Sequence, residues 1–214
     1  NLSDEQIHYA RTINRSGEYL LALIDDVLEI SKIETAQHTL ESTTFNLRAL
    51  FRDLEKLFDT TMDARGLQFK VDGIGDLPQY VVTDKSKLRQ VLVNLLANAA
   101  RFTEHGGVTM QVAVEDGTAD RMRLKVEVAD SGVGIAGDEQ DKVFAYFEQT
   151  ASGRAKKSGT GLGLAISRDY ARMMGGDITL TSRQGQGSTF YFYADIKEGS
   201  ASDIEEKTPK PRVT

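Results

Sequence analysis

The chain contains no cysteine, which excludes a disulfide framework and any thiolate metal site. Its three histidines, His8, His38 and His105, are dispersed, so the usual basis of a zinc site is missing too. There is no basic excess: 26 Lys and Arg stand against 32 Asp and Glu, a net charge of -6. Nothing in that balance draws the chain to a nucleic-acid backbone or an anionic membrane, and no nucleic-acid partner is expected. The longest apolar run, Leu20 to Ile24, is far short of the roughly 20 residues that span a bilayer. No charged-then-apolar leader opens the chain. Absence of cysteine fits a reducing compartment, and a soluble, cytoplasmic fragment is expected. The first residue is Asn1 and the last stretch is polar, so a segment of a longer protein is expected.

What is present is a folding sequence. At 214 residues and 40% hydrophobic content, the chain can bury one full core and carry a smaller appendage. Ser3 and Gln6 form a capping-box pattern, and Leu2 with Ile7 a hydrophobic staple, so a helix starts there. Apolar residues then recur at helical spacing from Ile7 through Ile13, Leu20, Leu21, Ile24, Val27, Leu28 and Ile30. A helix with that stripe needs a partner. Residues 35–44 are polar and aperiodic and read as a linker.

Asn46 caps a second predicted helix, with Gly66 as its stop, and Asp84 introduces a third in which Leu88, Val91, Leu92, Leu95 and Leu96 face a core. Short strands are expected at 67–71 and 80–82, and alternating ones at 108–114 and 122–129. A helical stretch should end near Tyr146, another helix should run from Leu162 to Met174, and two strands should flank Gly185-Gln-Gly187. This order gives an α+β fold: a two-layer sandwich in which a mixed, mostly antiparallel sheet packs on helices, preceded by a long N-terminal helix. From Gly199 onward Ser, Glu, Lys and Pro dominate, a composition that supplies no core.

Three motifs carry chemistry. Asn94 and Asn98, four apart on one helix, can aim two neutral amides into one space, which suits a magnesium ion already holding phosphates and water. Spacing alone is equally compatible with asparagines that bond nearby backbone. Arg101, one turn on, offers a fork for phosphate, and Phe102 an aromatic face or simply a core ring. Asp130-Ser-Gly132-Val-Gly134-Ile135 follows a strand, where a carboxylate can accept from adenine's exocyclic amine and glycines let the backbone approach a flat ring; an ordinary acidic turn would look the same. Gly159-Thr160-Gly161-Leu162-Gly163-Leu164 opens a helix, whose first amides and dipole form an anion site. No Gly-Lys-Ser or Gly-Lys-Thr follows, so it is not a Walker loop, and a polar loop rather than a strand precedes it, against a dinucleotide fingerprint. Residues 150–158, with Arg154, Lys156 and Lys157, fit either a lid over the nucleotide or a solvated loop.

Together the motifs resemble the GHKL ATP-binding fold in its sensor histidine kinase form. Residues 94–103 resemble its N box, 130–135 its G1 box, 143–147 its F box and 159–164 its G2 box, over about Phe45 to Lys197. The resemblance implies ATP and Mg2+ as cofactors. It places Asn98 on the metal with Asn94 beside it, Arg101 on phosphate and Asp130 on the adenine amine. Phe102, Gly132, Gly134, Ile135 and Phe147 would complete the site, and Gly159 to Leu164 would hold the lid hinge and phosphates. Residues 1–36 resemble the second helix of a dimerisation and phosphoacceptor domain, as in hybrid kinases, with 37–44 a linker, 45–197 the ATP-binding domain and 198–214 a tail. The implied function is transfer of the γ-phosphoryl group to a histidine of that domain in the same or a sister chain, then signalling to a response-regulator receiver domain. Homodimerisation through the N-terminal helix is implied as well. His8 does not match the acceptor motif, since Tyr9 and Ile13 replace its acid and proline. The F box departs too, with Ala145 and Tyr146 for an acid and a proline. The alternative reading is a non-catalytic module that senses nucleotide.

Overall fold

The computed structural model describes residues 3–34, 39–117, 120–150, 153 and 160–203. Gly159, the basic residues Arg154, Lys156 and Lys157, the Leu2 half of the staple, His38 and the stretch 204–214 lie outside the described residues.

α1 (Asp4–Glu34) begins at the expected capping box: Gln6 N–H donates to Ser3 Oγ at 3.2 Å, and Ser3 N–H to Gln6 Oε1 at 2.9 Å. β1 (Thr43–Asn46) runs into α2 (Leu47–Asp63), whose cap Asn46 accepts from Ala49 N–H at 2.9 Å. Then come β2 (Gln68–Asp72), β3 (Tyr80–Thr83) and α3 (Lys85–Phe102), the last capped by Asp84. β4 (Gly107–Asp116) and β5 (Met122–Asp130) lead through two short 3-10 turns, Gly137–Glu139 and Lys142–Phe144. α4 (Gly163–Met173), β6 (Asp177–Arg183) and β7 (Gly187–Glu198) close the fold.

The strands form one sheet in the order β1-β3-β7-β5-β4-β2, with β6 also paired to β7. Only β2–β4 is parallel, because α3 carries the chain back between them; the other pairs are antiparallel. Period-two alternation then sorts the side chains. Met110, Val112, Leu124, Val126, Phe190 and Phe192 point to the helices, and α2, α3 and α4 cover that face with Phe51, Leu54, Leu92, Leu95, Ile166 and Tyr170. The mixed, mostly antiparallel two-layer arrangement is the expected one.

Two local readings are corrected. Thr43 and Thr44, polar enough to read as linker, pair with Thr83 and Val82 as the edge strand β1, because Phe45 beside them is buried. The expected helix before Tyr146 is instead two 3-10 turns. Tertiary contacts claim the segment: Gln140 Nε2 donates to the carbonyls of Ile135 and Ser182, while Phe144 meets Phe190 edge-on and lies under the Arg168 guanidinium, 4.6 Å from its ring centre.

Candidate functional site

A cavity of about 420 Å³ opens between α3, the loop after β5 and the start of α4. α3 presents Asn94, Asn98, Arg101 and Phe102 to it because its Leu and Val residues are held in the core, which leaves the polar edge on this side. The end of β5 supplies Asp130, the following loop Gly134 and Ile135, and the approach to α4 supplies Thr160, Gly161, Gly163 and Leu164. Residues drawn from three separated motifs thus meet in one space.

Three expected members stand elsewhere. Leu162 is fully buried in the core as the α4 cap position, and Gly132 is buried beside Phe102 and Asp130, where its N–H donates to Asp130 Oδ1 at 2.8 Å. Phe147 is 63% exposed with φ 64°, and its N–H donates to the Gly161 carbonyl at 3.1 Å. That bond ties together the two ends of the 148–160 segment. Gly161 has φ 75°, and a Cβ there would sit 2.9 Å from the Glu148 carbonyl oxygen, so only glycine fits the closure. Gly159 lies outside the described residues.

The amides are not equivalent. Asn94 Nδ2 donates to Ser167 Oγ at 2.8 Å, tying α3 to α4, and a Cβ on Gly163 would stand 2.7 Å from Asn94 Oδ1. Asn98 Nδ2 donates to Asn94 Oδ1 at 3.4 Å, and among the described residues no donor reaches Asn98 Oδ1. The first asparagine is committed to packing; the second keeps an acceptor turned to the cavity. α4 starts with no side-chain cap, so its first amides are left for another acceptor.

Electrostatics distinguish the charged groups. Burial pushes the Asp130 carboxyl above its ordinary value, against the backbone N–H groups of Gly132 and Ser188, which favour ionisation. Burial likewise pulls Arg101 below its ordinary value. Three carboxylates, Asp26, Asp130 and Glu148, line the cavity with Arg101. Among the described residues there is no cluster of three His, Asp or Glu that would hold a metal unaided.

Sequence reading missed the apolar walls Val133 and Phe190 and the carboxylates Glu148 and Asp26. Phe190 had a signal, since alternation along its strand places it on the helix-facing side of the sheet. Asp26 had none. It belongs to α1, more than a hundred residues away, and its Oδ2 accepts from Thr160 Oγ1 at 2.7 Å. Beside it Tyr170 donates to Glu29, and Ile30 packs on the core.

Residues 83–198 match the family described as histidine kinase-, DNA gyrase B- and HSP90-like ATPase. The aerobic respiration control sensor protein ArcB of Escherichia coli K12 is 41% identical over 88% of this chain and 24% of its own length. The signal transduction histidine-protein kinase BarA of the same organism is 35% identical over 91% of this chain and 21% of its own. The crystal structure of full-length ShkA in complex with AMPPNP superposes with a TM-score of 0.76 at 31% identity, covering 94% of this chain and 41% of ShkA. The chain therefore spans less than half the length of these relatives. With the three motifs gathered in one cavity and the match extending over more than half of its residues, the chain belongs to the histidine kinase-, DNA gyrase B- and HSP90-like ATPase family.

Proposed function

We propose that this chain binds ATP with Mg2+ and is the catalytic part of a sensor histidine kinase. One observation carries the reading: Asn98, Arg101, Asp130 and the Gly161 to Leu164 turn, distant in sequence, border a single cavity with apolar walls. Asp130 would accept from adenine's exocyclic amine, with Val133 and Ile135 against the ring. Arg101 and the uncapped start of α4 would take the phosphates.

The residues fit magnesium. Asn98 Oδ1 is an available neutral oxygen, and a magnesium ion takes few protein ligands, keeping water and substrate phosphates as the rest. Among the described residues the lining carboxylates outnumber Arg101, so these groups alone would repel a triphosphate. When bound, the ion supplies charge neutralisation; the chain's own residues orient the nucleotide. Asn94, an amide already donating to Ser167, cannot take a proton from water, which favours transfer to another acceptor over hydrolysis. We assign that acceptor to a histidine on a dimerisation domain of the same or a sister chain, with α1 as that domain's second helix and a receiver domain downstream. Exposed Ile13, Leu20, Leu21, Ile24 and Leu28 on α1 favour homodimerisation. Arg101 and Phe102 at the end of α3, with Gly132, Gly134 and Phe147 shaping the loops, support the site rather than react.

Calorimetry with and without magnesium tests the site. Magnesium-dependent ATP binding that weakens at least ~10-fold in Asn98→Ala is expected; binding unaffected by the substitution would remove Asn98 from the metal. Supplying an intact phosphoacceptor domain in trans separates kinase from nucleotide switch, a second reading favoured by Ala145 and Tyr146 in the F box. Labelled phosphohistidine is expected, and its absence despite ATP binding would select the switch.

A further inference from the structure

Among the described residues, Asp26 is the one residue of α1 that borders the cavity. Its carboxylate accepts from Thr160 Oγ1, and Thr160 is the residue just before the Gly161 to Leu164 turn assigned above to the phosphates. The same hydroxyl oxygen accepts from Leu162 N–H at 3.2 Å, so the single Thr160 hydroxyl proton is taken by a carboxylate and is not offered to another acceptor. A phosphate chain arriving there meets a negative charge where a donor would be needed.

Other described residues join α1 to the fold as well. α4 is the helix on which α1 rests; Tyr170, fully buried on α4, donates to Glu29, and Ile30 is partly buried against the core. Among the described residues, Leu20, Leu21, Ile24, Val27 and Leu28, which surround these contacts in sequence, are exposed, while Leu23 and Ile30 are half-buried. A contact that runs through a carboxylate facing the cavity can be weakened by a like charge placed beside that carboxylate.

We propose that Asp26 is a charge-selecting residue of the nucleotide cavity: bound to Thr160 it holds α1 against α4, and a polyphosphate entering the cavity displaces it. Nucleotide phosphates and docked α1 then exclude one another, and a neutral nucleoside does not feel the exclusion. The inference rests on the nucleotide reading of the cavity and adds to it a coupling between the cavity and the position of α1.

Asp26→Asn keeps an oxygen for Thr160 and removes the charge. Calorimetry with ATP, ADP and adenosine on the unmodified chain and this variant reads the effect, each titration in the presence of magnesium. The variant is expected to bind ATP roughly 10-fold tighter, ADP by a smaller factor and adenosine equally, a coupling of ordinary allosteric size. Since the chain lacks cysteine, Ser16→Cys on α1 and Gln111→Cys on β4, both exposed, take spin labels without background. The label distance should lengthen on addition of ATP in the parent and stay short in the Asp26→Asn form. ATP affinity unchanged by Asp26→Asn, or an equal gain for adenosine, overturns the proposal, as does a label distance indifferent to ATP. If ATP binds and Asn98→Ala weakens it while these results fail, only the coupling falls; if the parent binds no ATP, both readings fall.

Discussion

The two ends of α3 are built on opposite principles. At its start Asp84, only 2% exposed, is saturated: it accepts from Lys87 N–H, from the Lys87 ammonium and from Glu41 N–H, each at 3.0 Å. Burial alone would raise its pKa, but these donors together hold it below its ordinary value. At the other end, Asn98 keeps an acceptor with no described donor, and Asp130 across the cavity is desolvated with its carboxyl pushed up. Satisfied polar groups anchor the start of the helix, whereas Asn98 and the desolvated Asp130 border the cavity at its far end. On the proposed reading, stability and nucleotide binding are placed at different ends of one element.

The saturated end should be the costlier to break. Asp84→Ala removes the cap and leaves Lys87 and Glu41 without their acceptor, and should cost about 2–3 kcal/mol in urea unfolding. A cost under ~0.5 kcal/mol would end the contrast. Because the folded pKa of Asp84 is depressed, its contribution is present above the ordinary 3.8 and is lost as pH falls through the folded value, so the gap between parent and variant should close in acid.

Gly161→Ala tests the closure of the cavity rim. With φ 75° and the Glu148 carbonyl 2.9 Å from the added carbon, a loss of ~1–2 kcal/mol is expected, together with weaker ATP binding. Full stability would mean that the rim yields.

Asp130→Asn should act in the reverse sense from Asp84→Ala. A raised folded pKa means that the ionised carboxylate costs stability above that value and costs nothing below the ordinary one. The variant should therefore melt higher at pH 7, by ~2 °C, with the gain vanishing toward pH 4 while ATP affinity falls. A lower melting temperature at neutral pH would show Asp130 to be a structural carboxylate like Asp84. The smallest effect belongs to Leu21→Ala. That side chain is 64% exposed, so monomer stability should change by less than ~0.5 kcal/mol, while sedimentation should show weaker self-association if α1 forms the dimer contact.

Much of this was legible in the chain itself. Asn46 and Asp84 were readable as caps because capping is a local hydrogen bond, and the core faces of α2 and α3 and the alternation of β4 and β5 followed from period. The three motifs were readable as one site only by joint pattern, and the cavity places Asn98, Arg101, Asp130 and Gly161 together. Leu162 and Phe147 escaped because a motif is a string, whereas facing is a property of the backbone: one turns inward at the helix start and the other outward at positive φ. β1 escaped because a polar edge strand carries little apolar signal.

The sequence by itself determined the long helices, the alternating strands, the caps at Ser3, Asn46 and Asp84, and the kinds of groups available for chemistry, since these depend on neighbours within a few residues. Only the tertiary structure decided that Asn94 is spent on Ser167 while Asn98 is left open, that Phe144 is gripped by Arg168 and Phe190, and that Asp26 reaches Thr160. Each of those outcomes is a contact between segments far apart in the chain, settled by how the helices pack on the sheet and invisible to any local pattern.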